Sequence, residues 1–250
     1  MNNGVKMLQI YTILRPNQIE EKVFREFLRN VSVERQMRVE KYLKAEDKIR
    51  SLLAEILLRY VLNIHNPVNL KELEFGYNEY GKPRIKNVED LFFNLSHSGD
   101  WIICGIGNSN IGVDVEEHKR INFDIAERFY TREEYNLLIR TPKDDQLSMF
   151  YKLWTLKESY IKAVGKGLGI PLNSFSFKLC NNDIELYVND IRCKEYCFTS
   201  LSLDPLHSMS ICWQGNQEEL LSVKVEQTSL KELIEFNQNN DLTSPQVILP

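Results

Sequence analysis

The stretch Trp154-Thr-Leu-Lys157-Glu158-Ser-Tyr-Ile-Lys162 ends what the apolar spacing predicts to be one long helix, Asp144 to Val164. On a helix, Glu158 and Lys162 lie one turn apart on the same face because they are four residues apart. The pair has two interpretations. It is either a surface ion pair worth roughly 0.2–0.5 kcal/mol, or a carboxylate and an ammonium group of a functional site.

A second stretch, Ile111-Gly-Val-Asp-Val-Glu116, has the alternation of a β-strand. Asp114 and Glu116 therefore face one side of the predicted strand, and the apolar residues face the other. A polar strand face on the surface is the alternative. Together with Glu158, however, the two carboxylates offer the oxygen ligands that Mg²⁺ prefers, and water and phosphates complete its shell. We therefore predict a divalent cation site, for Mg²⁺ or alternatively Mn²⁺.

Composition limits the class of protein. The chain has 250 residues, 43% hydrophobic and 26% charged, with a formal net charge of -4, which are ordinary globular proportions. An acidic balance argues against a general nucleic-acid binder. The five cysteines lack the spacing of a zinc site. With no signal peptide and no membrane-spanning run predicted, we expect a cytoplasmic protein with reduced thiols.

The order of predicted elements indicates two related halves, each with charged helices followed by strands. We place the first half at residues 1–110, the second at 111–228, and a polar, loosely held tail at 229–250. A cleft between two such halves is a common location for a ligand. Thr131 to Glu134 fits a capping box, so Glu134 is predicted to be a cap rather than a ligand.

Several cationic and polar residues are candidates for anion binding. Arg35 and Arg38 share one side of a predicted helix, and the sequence alone favours a solvated face over a phosphate clamp. Lys82 is predicted at the tip of a turn. The stretch Ser96-His97-Ser98-Gly99 is predicted to be a turn that could bind an anion, or alternatively an ordinary polar hairpin.

Three stretches in this chain together resemble signature motifs of the 4'-phosphopantetheinyl transferases, surfactin-type (Sfp-like) branch. They are Phe93-Asn-Leu-Ser-His-Ser98, Ile111-Gly-Val-Asp-Val-Glu116 and Trp154-Thr-Leu-Lys-Glu-Ser-Tyr-Ile-Lys162. The stretches Tyr80-Gly-Lys-Pro83 and Phe129-Tyr-Thr-Arg-Glu-Glu-Tyr135 also resemble the family, in the same order. The resemblance spans residues 5 to 215, which is most of the chain.

The resemblance implies an α+β monomer of two pseudo-twofold halves with the active site in the cleft between them. It implies coenzyme A as co-substrate and transfer of its 4'-phosphopantetheine arm to a serine of an apo acyl or peptidyl carrier protein. Adenosine 3',5'-bisphosphate would be released. Fatty-acid, polyketide and nonribosomal-peptide carriers all stay open.

Motif positions imply the roles of individual residues. Asp114, Glu116 and Glu158 would bind Mg²⁺, and Lys162 would contact the pyrophosphate. Glu158 or a metal-bound water is the candidate base for the serine hydroxyl. Contacts with coenzyme A are implied for Arg35, Arg38, Arg50, Lys82, Ser96, His97 and Lys162. The resemblance therefore replaces the solvated-face interpretation of Arg35 and Arg38.

The basic segment after Glu116 is predicted to contact the carrier protein, which is acidic near its serine in the family picture. The predicted contacts are Lys119, Arg120, Phe123, Phe129 and Arg132, and a plain solvated helix is the alternative. Two other functions compete with the transferase: a non-catalytic coenzyme A or nucleotide-binding module on the same fold, and an interaction protein. The intact acidic residues argue against the former.

Overall fold

Two halves of the chain repeat one order of elements in the computed structural model, which describes residues 8–65, 69–180, 183–217 and 223–240. The first half contains β1 (Leu8–Leu14), α1 (Glu21–Arg29), α2 (Val33–Lys41), α3 (Ala45–His65), β2 (Phe75–Tyr77), β3 (Pro83–Ile85), β4 (Phe92–Ser98) and β5 (Trp101–Gly107). The second contains β6 (Ile111–Glu117), α4 (Asp124–Phe129), α5 (Arg132–Arg140), α6 (Lys143–Val164), β7 (Phe175–Cys180), β8 (Asp183–Val188), β9 (Ile191–Cys193), β10 (Tyr196–Asp204) and β11 (His207–Gln214). Then follow β12 (Val225–Thr228) and α7 (Leu230–Asn239).

The sheets have the same topology in both halves. The main sheet of the first half has the order β12-β1-β5-β4, and that of the second has the order β10-β11-β6. In the first half β1 pairs with β5, and β5 pairs with β4. In the second half β6 pairs with β11, and β11 pairs with β10, in the same way. The small sheets β2-β3 and β7-β8-β9 stand apart from the main ones. The prediction of an α+β fold of two similar halves is confirmed.

The main sheets pack face to face, and a long helix covers the outer face of each. The core between the sheets is apolar and includes Ile10, Ile103, Val113, Ile211 and Trp213. Helix α3 packs on the outer face of the first sheet, and α6 packs on β6 and β11. The alternation of the strands explains this layering, because successive side chains enter different cores.

Most long elements agree with the sequence patterns, whereas the shortest strands do not. Strand β1 has the predicted bounds, and the predicted helix Asp144 to Val164 corresponds to α6. The predicted turn at Ser96 to Gly99 is corrected, because β4 continues to Ser98 and the turn consists of Gly99 and Asp100. Three-residue strands such as β2, β3 and β9 were missed, since they contain too little alternation to be recognised.

The end of the described chain returns to the first half, which corrects the predicted boundary at residue 229. Strand β12 pairs in parallel with β1. Helix α7 packs against α1 and α3, and its residues Leu233 and Phe236 are buried in the first core. The expectation of a loosely held tail is thus wrong for residues 229–240, and residues 241–250 lie outside the described part.

Two further expectations concern the whole molecule. No helix in the described parts of the chain is both long and apolar enough to cross a membrane. The thiols of Cys104, Cys180, Cys193 and Cys212 are free, and Cys104 and Cys212 are buried.

Candidate active site

Strand β6 lies directly against α6 because Gly112 has no side chain. A Cβ atom at Gly112 would be 1.9 Å from the carbonyl oxygen of Ser159. This close approach places Asp114 and Glu116, which follow Gly112 on the same strand face, beside Glu158 and Lys162 of α6. The prediction that the carboxylates share one face is confirmed, since Val113 and Val115 enter the core between the sheets.

Asp114 is the most buried acidic residue of this site, with 3% of its surface exposed. Its Oδ1 accepts hydrogen bonds from Lys162 Nζ at 2.5 Å and from Ser96 Oγ at 3.1 Å. Its Oδ2 is buried and has no hydrogen-bond partner within the described residues. Burial raises the pKa of Asp114, although Lys162 opposes the shift. A buried carboxylate oxygen without a partner is a suitable ligand for a cation.

Glu116 and Glu158 are less buried, and both are affected by the charge of Asp114. Burial, followed by repulsion from Asp114, raises the pKa of Glu116 to about 7. The same two causes raise the pKa of Glu158. Like charges in a shared site oppose ionisation of one another, and a divalent cation would relieve this repulsion. The three carboxylates therefore fit Mg²⁺ in the chemistry of their donor atoms.

The side chains are nevertheless not gathered into a finished coordination sphere. No group of three His, Cys, Asp or Glu side chains that could hold a metal ion occurs in the described ranges. The ammonium group of Lys162 lies against Asp114 and neutralises it in part. The site provides oxygen ligands on both β6 and α6, but their assembly around an ion stays a prediction.

Strand β6 is the edge strand of its sheet, and side chains of β4 bind the backbone N–H groups along this edge. These contacts join the two halves. Asn94 Oδ1, Ser96 Oγ and Ser98 Oγ accept hydrogen bonds from the backbone N–H groups of Val113, Val115 and Glu117, in that order. Each of the three alternate residues of β4 thus satisfies one alternate N–H group of β6. The register between the halves is fixed by this row, because a shift would leave buried donors unpaired.

Lys82 lies at the same junction but points toward backbone oxygens. Its Nζ donates to the carbonyl oxygens of Ile111 at 3.2 Å and Ala163 at 3.0 Å. Burial lowers its pKa to about 8. Asn78, in the same turn, donates to the Gly165 carbonyl at 2.7 Å. The turn therefore caps the C-terminal end of α6, a role that the sequence did not reveal. A phosphate contact of Lys82 stays a prediction.

A cavity of about 220 Å³ opens between the halves beside these groups. Its walls come from the turn before β3, from β4 and from the end of α6. They include Tyr80, Lys82, Asn94, Glu158 and Lys162. The candidate general base and the candidate pyrophosphate contact thus line one accessible space.

Basic residues of the first half lie around His97, together with Lys162 of α6. Desolvation by the surrounding protein lowers the pKa of His97, and the positive charges of Arg50, Lys162 and Arg35 lower it further. Arg50 donates to the Gly99 carbonyl at 2.7 Å, and Arg35 donates to Ser51 Oγ at 3.2 Å. The structure therefore brings four of the predicted phosphate-binding residues near one another.

Arg38 differs from this group. Its side chain is half-exposed and pairs with Glu34 at 3.0 Å. It lines a small pocket together with Arg35. Arg38 is thus near the predicted site but is held at its outer margin.

Two buried ion pairs were missed at the sequence level. Lys157 Nζ lies 2.8 Å from Glu134 Oε2 and donates to the carbonyl oxygens of Leu172 and Phe175. Glu134 also completes the capping box with Thr131, which confirms its predicted role. In the first half, Glu55 binds Arg59 at 2.8 Å and the Ser32 N–H at 2.7 Å. The sequence did contain a signal for this second pair, because Glu55 and Arg59 are four residues apart within an apolar helical stretch.

The predicted carrier contacts fall into exposed and partly buried residues. Lys119, Arg120 and Arg132 are exposed, and Lys119 pairs with Glu117 at 2.9 Å. Phe123 and Phe129 pack in part against the second core. The ring of Phe129 meets Trp154 edge-on at 5.8 Å. The segment thus exposes basic side chains to solvent, while the contact of Phe129 with Trp154 anchors it to α6.

Comparisons with known proteins agree on one family. The family model described as the 4'-phosphopantetheinyl transferase superfamily matches residues 110–212, and the model for the N-terminal region of 4'-phosphopantetheinyl transferase matches residues 17–107. The 4'-phosphopantetheinyl transferase Sfp of Bacillus subtilis (strain 168) is 35% identical over 206 residues, covering 82% of this chain and 92% of the relative.

Two more relatives extend the comparison. The 4'-phosphopantetheinyl transferase gsp of Aneurinibacillus migulanus is 42% identical over 170 residues, covering 68% of this chain and 70% of the relative. The L-aminoadipate-semialdehyde dehydrogenase-phosphopantetheinyl transferase of Homo sapiens is 28% identical over 208 residues, covering 74% and 67%.

Proposed function

The chain belongs to the 4'-phosphopantetheinyl transferase superfamily, and from that premise we propose that it transfers the 4'-phosphopantetheine arm of coenzyme A to a serine of an apo carrier protein. One observation carries the proposal. The buried Asp114 has one oxygen bound by Lys162 and Ser96 and the other without a partner, at the junction of β4, β6 and α6. An acidic and cationic site of this kind suits a metal-bound pyrophosphate.

In the proposed reaction the serine oxygen forms a bond to the phosphorus that carries the pantetheine arm. The bond from that phosphorus to the bridging oxygen of the pyrophosphate breaks. Its electron pair leaves with adenosine 3',5'-bisphosphate, and the serine proton passes to a base. Glu158 is our candidate base, because its raised pKa brings proton acceptance closer to neutral pH.

We assign the remaining roles by position. Asp114, Glu116 and Glu158 would hold Mg²⁺, which when bound supplies charge neutralisation to the pyrophosphate. Lys162 adds positive charge from the end of α6. The first-half group of Arg35, Arg50 and His97 would bind further phosphate oxygens, since guanidinium groups suit bidentate phosphate contacts. Ser96, Lys82 and Arg38 complete the proposed coenzyme A contacts.

The direct test is the intact mass of an apo acyl or peptidyl carrier protein after incubation with the enzyme, coenzyme A and Mg²⁺. We expect a gain of one phosphopantetheine arm, abolished by EDTA and by Glu158→Gln. If no carrier gains mass while coenzyme A still binds, the alternative of a non-catalytic coenzyme A-binding module would be favoured.

We propose that the carrier docks on the basic segment after β6, because its exposed Lys119, Arg120 and Arg132 would attract an acidic partner. Phe123 and Phe129 would add apolar contact. The variant Lys119→Glu/Arg120→Glu should raise KM for the carrier about tenfold, equivalent to about 1.4 kcal/mol, and leave coenzyme A binding unchanged. Arg192→Glu/Lys194→Glu, an equal charge change in and just after β9, is the matched control. Equal effects of the two variants would contradict the docking site.

We also propose a monomer that acts in the cytoplasm. Both halves of the site come from one chain, so a second copy is not needed to complete it. The buried free thiols of Cys104 and Cys212 fit a reducing compartment. Sedimentation analysis of the full chain tests the first point.

A further inference from the structure

Two serines of β4 bind β6 in the same way. Ser96 Oγ accepts from the Val115 N–H at 3.3 Å and donates to Asp114 Oδ1 at 3.1 Å. Ser98 Oγ accepts from the Glu117 N–H at 3.1 Å and donates to Glu116 Oε2 at 2.7 Å. Each hydroxyl therefore joins the carboxylate of one residue to the backbone N–H of the next. Ser96 already has a proposed coenzyme A contact, whereas Ser98 has no assigned role.

We propose that Ser98 is a positioning residue of the metal site, and that its hydroxyl holds the Glu116 carboxylate in the orientation needed to bind the divalent cation. The inference rests on the proposed function and on its cation site. Ser98 is not itself a ligand in this proposal. It acts by occupying one carboxylate oxygen, Oε2, so that the direction of the other is fixed.

The need for such a contact follows from the charges around Glu116. Asp114 and Glu158 both repel its carboxylate, and a glutamate side chain has several rotatable bonds by which it can move away. A hydroxyl that donates to a carboxylate is a charge-assisted hydrogen bond, stronger than a neutral one. Partners that orient metal ligands in this way commonly change metal affinity 10–100-fold when they are removed.

Ser98 is itself held firmly. The residue after it, Gly99, has a φ of +54° and accepts a hydrogen bond from Arg50 at its carbonyl. A Cβ atom at Gly99 would lie 2.4 Å from Nε2 of His207. His207 in turn contacts Asp204 at 2.9 Å, and Asp204 accepts from the Trp101 indole. The turn is therefore held from both halves, and the backbone of Ser98 stays in place beside Glu116.

This arrangement connects two parts of the proposed site. Arg50, a proposed phosphate contact, binds Gly99, and the neighbouring Ser98 binds Glu116. Because β4 belongs to the first half and β6 to the second, the orientation of Glu116 depends on the packing of the halves.

The test is Mn²⁺ binding to the full-length enzyme in the presence of coenzyme A, measured from the electron paramagnetic resonance signal of free Mn²⁺. Ser98→Ala should weaken binding about tenfold. Ser98→Thr keeps the hydroxyl and should restore most of the affinity. In a Glu116→Gln background, Ser98→Ala should change the affinity less than about twofold, because the two residues act as one unit.

Ser109→Ala is the matched control. It removes a partly buried hydroxyl that donates to the Gln214 carbonyl, away from the carboxylates, and should leave Mn²⁺ binding unchanged. The inference is overturned if Ser98→Ala binds Mn²⁺ like the wild type, or if its loss persists in the Glu116→Gln background. Absence of Mn²⁺ binding in the wild type would instead overturn the cation site itself, and this inference with it.

Discussion

Lys162 and Asp114, 48 residues apart in the sequence, form an ion pair in which Nζ and Oδ1 are 2.5 Å apart. The lysine comes from α6 and the aspartate from the edge strand β6. The aspartate is almost fully buried, whereas about a quarter of the lysine side chain, 27%, is exposed. One end of the lysine thus compensates a buried charge while the side chain keeps access to the cavity between the halves.

Removing this ammonium group should reduce turnover strongly. We expect Lys162→Met to lower kcat by about 10²–10³-fold, the effect typical of losing one group that stabilises developing charge. Lys162→Arg keeps the charge and should retain more activity. Mass-based turnover assays at saturating Mg²⁺ and coenzyme A measure the effect, and circular dichroism checks folding. A kcat within fivefold of the wild type would contradict the assignment.

The raised pKa of Glu116 predicts that the stability of the metal-free protein depends on pH. Its pKa rises from an ordinary value of 4.5 to about 7 in the folded chain. Between these values the native state binds more protons than the unfolded state, so stability falls as pH rises through this window. Glu116→Gln should remove this component, and its Tm should therefore fall less than that of the wild type from pH 5 to pH 8. Parallel Tm profiles would contradict the shift, and Mg²⁺ should raise the wild-type Tm at pH 8.

Gly112 should not tolerate a side chain. The Cβ atom of Gly112→Ala would collide with the Ser159 carbonyl, so β6 and α6 must separate. We expect a loss of roughly 1–3 kcal/mol or more in the free energy of unfolding, together with a loss of activity because Asp114 moves away from Lys162. Gly169→Ala is the control, since its Cβ would meet nothing closer than 4.0 Å. Equal stability of the two variants in urea denaturation would refute this account.

Lys157 should matter for stability although it belongs to the same motif as Glu158. Lys157→Met leaves the buried Glu134 carboxylate without its ammonium partner, which we expect to cost about 3–5 kcal/mol. Part of the loss should return in Lys157→Met/Glu134→Gln. Lys231→Met, which removes an exposed pair with Glu235, should cost at most about 1 kcal/mol. Urea denaturation of the four proteins measures these differences, and a small effect of Lys157→Met would argue against the buried pair.

Helix α7 should contribute to the stability of the first half. Leu233 is fully buried against that core, so Leu233→Ala should cost about 2–5 kcal/mol. Leu43→Ala is the same substitution at a side chain that is 99% exposed, and it should have little effect. If both variants unfold at the same temperature, the docking of α7 is not needed for stability.

The long elements could be predicted from the sequence, and so could the acidic face of β6 and the position of Glu158 on α6. The signals for all of them are local. A period of 3.6 residues identified α6, and a period of two placed Asp114 and Glu116 on one side of β6. The capping box of Thr131 and Glu134 was likewise readable, since its partners lie within one turn. The three signature motifs of the family resemblance each lie within a single element, β4, β6 or α6.

Sequence patterns were therefore enough to predict which residues share a face and which chemistry they offer. Only the packing of the elements showed that Lys82 caps α6, that β12 and α7 return to the first half, and that Ser98 binds Glu116. Each of these contacts joins residues far apart in the chain, and each satisfies a donor, an acceptor or an apolar surface that becomes unpaired only when the elements meet. Local periodicity carries no information about such partners, because it does not specify how one half packs on the other.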